Sequence, residues 1–170
     1  MFGKWLTRVR ADEPAPEKTA LGATIRDHMP GADEESIRVV TAIAGLLAAV
    51  AYADRDYSAL EERRVRAELG RIHGMTPVGV DAIADALRRE IVGLTTVELP
   101  RSARTLVELA DEELRLEVLE VLVDVAAADG HISHAETTLL RQVTTSLGLT
   151  QDDYNRAQAQ HRDKLGVLKG

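Results

Sequence analysis

Five carboxylates stand in two short stretches that match one another. Asp54, Asp56 and Glu61 lie in Ala51-Tyr-Ala-Asp54-Arg-Asp56-Tyr-Ser58-Ala-Leu-Glu61, and Asp129 and Glu136 in Ala126-Ala-Ala-Asp129-Gly-His-Ile-Ser133-His-Ala-Glu136. Clustered oxygen donors suit hard divalent ions such as calcium, so these five residues are the candidate metal ligands. The opening Asp54-Arg-Asp56-Tyr-Ser58 alternates donors as a calcium loop does, but Glu61 falls at the eighth position where an EF-hand needs a glutamate at the twelfth. His131 and His134 add imidazoles beside Asp129, without a third ligand at a zinc-site spacing.

A structural role competes for the same residues. Ser58-Ala-Leu-Glu61 and Ser133-His-Ala-Glu136 are both S-x-x-E capping boxes, which satisfy the free amides at a helix start. Asp54 and Asp129 close the preceding helices, where a negative charge meets the negative end of the helix dipole at a cost of roughly 0.3–1 kcal/mol. Either amide hydrogen bonds from the turn or a bound cation would offset that cost.

Other chemistry is poorly represented. The chain has no Gly-rich phosphate loop, no G-x-S-x-G elbow and no H-E-x-x-H motif. It has no cysteine, which removes thiol nucleophiles, thiolate metal sites and disulfides together, and suits a reducing cytoplasm. Its 28 acidic residues against 21 basic ones leave a formal charge of -7 with no basic block, which argues against nucleic acid as a partner. The expectation is a cytoplasmic binding protein and not an enzyme. His28, His73 and His161 each stand alone near a helix end, and the charge run from Glu61 to Glu68 reads as a solvated helix face that a partner protein can also use.

The elements that position the carboxylates are helices. Apolar residues make up 45% of the chain, yet aromatics only 3%, which favours packed helices over sheets. The run 11–17, with two prolines, divides an N-terminal segment (1–17) from a helical domain (18–170). In that segment Trp5 beside Lys4, Arg8 and Arg10 offers a peripheral membrane contact, or else a frayed terminus or docking helix; no stretch is long and apolar enough to be a membrane span.

Three- and four-residue periodicity predicts about eight helices and no strand: 18–28, 36–53, 59–73, 77–92, 101–110, 111–128, 133–147 and 150–165. The second and sixth are apolar around most of their circumference and belong at the centre of an all-α single domain. Each is followed by one of the acidic turns, and Gly74-Met-Thr76 answers Gly148-Leu-Thr150 further on. A duplicated helix hairpin, with the two apolar helices packed about a pseudo-two-fold axis, explains the likeness.

The pattern A-x-A-D-G-x-I-x-x-x-E, present twice, resembles the TerB family of tellurite-resistance proteins and the related domain of DjlA-type co-chaperones, over roughly 36–165. The second copy fits at every defining position; the first has Arg55 where the family usually has glycine. A left-handed residue costs on the order of 1 kcal/mol for arginine, so the first turn is expected to be shaped differently. The resemblance implies a stress-response module that binds a divalent cation or a protein partner through its acidic turns. Two other readings are a membrane-associated scaffold using the N-terminal segment, and a metal-dependent hydrolase using the same carboxylates.

Overall fold

The computed structural model describes residues 19–94 and 98–168, with side chains described over 19–91 and 98–162. Trp5 and the basic residues around it, with the membrane contact expected of them, lie outside the described residues, as does the 11–17 run. Among the described residues there are eight helices and no strand: α1 (Ala20–His28), α2 (Glu34–Ala51), α3 (Ala59–Gly70), α4 (Pro77–Leu94), α5 (Glu98–Leu109), α6 (Glu112–Ala126), α7 (His134–Ser146) and α8 (Gln151–Leu168). None of them is long and apolar enough to cross a membrane.

Polar N-caps set most of the starts. Thr19, Asp33, Ser58, Asp111 and Ser133 each accept an amide hydrogen bond from the first turn of α1, α2, α3, α6 and α7, a contribution of about 1 kcal/mol apiece. α5 begins at Glu98, three residues before the expected start, and carries Pro100 in its first turn, where a missing N–H costs nothing because that amide has no intrahelical partner. α3 stops at Gly70, short of His73, and the chain then turns through Gly74 at φ +84°.

α2 is the most enclosed element: every residue from Ala42 to Ala51 is buried. Its most extensive neighbour is α5, and it also touches α1, α3, α4, α6 and α7. α5 supplies Leu99, Ala103 and Leu106 as a stripe at helical spacing. α6, with Val118, Leu119, Leu122 and Val125 fully or almost fully buried, packs on α2 and is covered by α3, α7 and α8. The two predominantly apolar helices thus lie in contact, and one hydrophobic cluster runs from Leu21 on α1 to Ala157 on α8. Burying such side chains supplies roughly 1.5–3 kcal/mol each before conformational entropy is charged against it.

Candidate functional site

The two acidic turns are built alike, atom for atom, 75 residues apart. After α2, the Arg55 amide donates to the Tyr52 carbonyl at 3.0 Å, and after α6 the Gly130 amide donates to the Ala127 carbonyl at 3.0 Å. The Asp56 amide donates to Asp54 Oδ1 at 2.9 Å, and the His131 amide to Asp129 Oδ1 at 3.1 Å. Each aspartate therefore offsets its position against the helix dipole by capping its own turn. Three residues on, the Ser58 amide donates to Glu61 Oε2 at 2.7 Å and the Glu61 amide to Ser58 Oγ at 3.2 Å. The Ser133–Glu136 box repeats this at 2.6 and 3.2 Å.

Arg55 takes φ +69° and Gly130 φ +100°. The first turn thus keeps the same left-handed step that glycine gives the second, contrary to the expectation of a different shape. The hydrogen bonds on either side hold it there, and the local strain of arginine is absorbed instead of relieved.

Burial separates the candidate ligands into two classes. Asp54, Asp56 and Asp129 are exposed, whereas Glu61 and Glu136 are only 6% and 3% accessible. Burial pushes the Glu61 carboxyl above its ordinary range, opposed by its hydrogen bonds with Ser58 and reinforced by the negative charges of Glu136 and Asp54. The charge of the second turn is therefore felt at the first. Spacing along the chain leaves open whether the two turns meet; the packing of α3 and α7 around α2 and α6 brings Glu61 within electrostatic reach of Glu136.

A closed metal cage is not assembled, because among the described residues no three His, Asp or Glu side chains gather as ligands of one ion. One oxygen of each glutamate is committed to its capping box and one of each turn aspartate to its own loop. His131 is 77% exposed, with Nδ1 3.4 Å from Asp129 Oδ1, and His134 is exposed at the start of α7. The donor set is oxygen, which fits a hard cation that keeps most of its water better than one that demands a full protein shell.

Beside the turns lies a charged network whose contacts between helices sequence spacing did not reveal. Arg64 Nη2 is 3.1 Å from both Glu68 Oε1 and Asp124 Oδ2, Arg71 Nη1 is 3.2 Å from Glu68, and His161 Nδ1 is 2.8 Å from Asp124 Oδ1. The Glu68 side chain is wholly buried, so the charge run on α3 is not simply a solvated face. His161 does not stand alone either: α8 folds it against α6, where Asp124 is waiting. One signal was present in the sequence: Asp124 is an acid inside the apolar run 121–126, and a buried carboxylate requires a partner. Arg64 lies one helical turn beyond Glu61 on the same face of α3, which places the network next to the acidic turns.

A family model described as tellurite resistance protein TerB matches residues 40–159, well over half of the chain, including both acidic turns and every member of the network except His161. No curated protein and no solved structure matches the chain.

Proposed function

The chain belongs to the TerB family of tellurite-resistance proteins, and from that premise we propose that it is a non-enzymatic stress-response module whose paired acidic turns receive a cationic ligand. The ligand is a divalent cation such as calcium or a basic side chain on a partner protein. The observation that carries this reading is the matched pair of turns: Glu61 and Glu136 sit buried in capping boxes of the same geometry beside the exposed Asp54, Asp56 and Asp129, and the charge of Glu136 adds to the burial that raises the Glu61 carboxyl. A site that holds two carboxylates against their repulsion gains from any positive charge placed between them. Asp54, Asp56 and Asp129 at the rim add further oxygen donors, and a bound cation would supply charge neutralisation while keeping much of its own water.

Support for a binding role over a catalytic one comes from the family and from the donors themselves. The turn aspartates are exposed and tied into their loops, an arrangement suited to holding a charge and not to moving protons. The deciding measurement is calorimetric titration of chelator-stripped protein with calcium, magnesium, manganese and zinc, alongside Asp54→Ala, Asp129→Ala and Glu136→Gln. The glutamine variant keeps an acceptor for the Ser133 amide and removes the charge. Heat that disappears in these variants supports the cation; absent heat, together with partner capture lost in Asp129→Ala/Glu136→Gln, supports the basic segment of a protein. Metal affinity and partner capture both unchanged in the double variant would refute the proposal.

A further inference from the structure

Away from the acidic turns, three helices direct polar residues into one shared cleft. α1 contributes Thr19 and Arg26, α2 contributes Arg38 and Thr41, and α5 contributes Arg101 and Thr105 to a narrow space of about 70 Å³. This end opens, across Thr41 and Ser102, onto a wider basin of about 400 Å³ bordered by Arg89 and Glu90. Apart from Ser102, the buried residues of α5 are Leu and Ala. Here the residues at i, i+3 and i+7 are Arg38, Thr41 and Gly45 on α2, and Glu98, Arg101 and Thr105 on α5. The two glycines keep the hydroxyls close. A Cβ at Gly22 would stand 3.1 Å from Thr19 Oγ1, and one at Gly45 would stand 3.1 Å from Ser102 Oγ.

The charge in this cleft runs against that of the molecule. Three guanidiniums line its narrow end against one carboxylate, Glu98, and the first turns of α1 and α5 both border it with the positive ends of their dipoles. Each arginine has a carboxylate beside it: Arg26 grips Glu34 through two hydrogen bonds at 2.7 and 2.8 Å, Arg101 reaches Glu98 on the cleft wall at 3.4 Å, and Arg38 meets Glu108 only loosely, at 3.7 Å. These contacts hold the guanidiniums in place, and the loose pair of Arg38 leaves it able to take a stronger acceptor. Arg38, with its side chain only 15% exposed on the floor of the cleft, is the group that gains most.

We propose that this cleft between α1, α2 and α5 binds a tetrahedral oxyanion of the phosphate type, as the free ion or as the phosphate of a small molecule. The narrow end has room for roughly five waters by the volume one water needs, which suits a single phosphate group. Arg38 and Arg26 supply charge-assisted donors, Thr19 and Thr105 supply hydroxyls, and the wider basin accepts whatever the phosphate carries. α1 lies outside the stretch matched by the family model, and the acidic turns lie on other segments, so this site is independent of the cation-binding proposal.

The test is an NMR titration of the full chain with inorganic phosphate and, separately, with AMP, at constant ionic strength made up with chloride. Saturable shifts of the backbone amides of 19–22, 38–42 and 101–105 are expected, with affinity reduced at least ten-fold in Arg38→Gln. Arg101→Gln, at an exposed position, provides a second variant should Arg38→Gln lower the melting temperature. Tighter binding of AMP identifies the phosphate of a small molecule as the ligand, and equal binding identifies the free anion. Shifts that do not saturate, or affinities unchanged in both variants, would overturn the site.

Discussion

Arg64 Nη2 lies 3.1 Å from Asp124 Oδ2, joining α3 of the first hairpin to α6 of the second across 60 residues of chain. Asp124 also receives His161 from α8 at 2.8 Å, so a single carboxylate, 9% exposed, ties three helices together. Carboxylates are acceptors only, which puts the proton of this contact on His161 Nδ1.

Removing one member of such a group leaves its partners buried without compensation. Asp124→Ala is expected to lower stability by about 3 kcal/mol, the low end of what breaking a buried pair costs, because Arg64 remains 35% exposed and can turn to water. A double-mutant cycle with His161→Ala, read by urea denaturation, should give a coupling energy well above the few tenths expected of separate sites. Additive effects would mean that the helices are held by packing alone.

The two turns offer a controlled comparison of backbone strain. Arg55→Gly is expected to stabilise the protein by up to roughly 1 kcal/mol, since glycine relieves the left-handed penalty but gives back part of it as unfolded-state entropy. Gly130→Ala should destabilise by about 1 kcal/mol, and for conformational reasons only, because a Cβ there meets no atom within 4 Å. Thermal melts of the two variants moving in the same direction would contradict this.

Neighbouring glutamates should respond to pH in opposite senses. Glu61 has a raised pKa through burial, so its proton is bound more tightly in the folded state. Its contribution is fully present below the ordinary 4.5 and is lost as pH rises through the folded value. Glu62 is held below its ordinary 4.5 by its hydrogen bonds to Arg88 and Arg66, and its contribution is lost as pH falls through that lowered value. Glu61→Gln should therefore leave stability at neutral pH unchanged or higher, and Glu62→Gln should lower it there and converge on the wild type in acid. Denaturation midpoints measured from pH 3 to pH 7 test both signs.

Close packing of α2 on α5 at Gly45 sets a fourth expectation. A valine there would need the space that Ser102 Oγ occupies, 3.1 Å from the nearest possible Cβ, and overpacking of this kind costs typically 1–3 kcal/mol. Gly45→Val is expected to lower the melting temperature, and Gly45→Val/Ser102→Gly to recover part of the loss. A double variant no more stable than the single one would place the strain elsewhere.

Local rules acting within one turn of helix were legible from residue order. The eight helices and the two capping boxes depend on neighbours no more than four residues away and are readable from spacing, whereas for Asp54 and Asp129 residue order leaves turn hydrogen bonds and a bound cation as alternatives. The family match over 40–159 agrees with the resemblance seen in the repeated motif. Arg55 departs from expectation: propensity disfavours a left-handed arginine, while the bonds around it in the folded turn outweigh that preference.

What residue order could not supply was which distant charges meet. Residue order leaves His161 without a partner and Glu68 on a solvated face, because Asp124 reaches His161 and Arg64 only when α8 and α3 pack on α6, and that packing also buries Glu68 between its helical neighbours Arg64 and Arg71. The approach of Glu61 to Glu136 and the cleft beneath Arg38 have the same origin. The sequence by itself determined the helices, their caps and the glycine turn after α6, since these follow from hydrogen bonds a few residues long. Only the tertiary structure decided which carboxylates share a field and which arginines share a cleft, since those pairings depend on the burial of apolar faces between helices far apart in the chain.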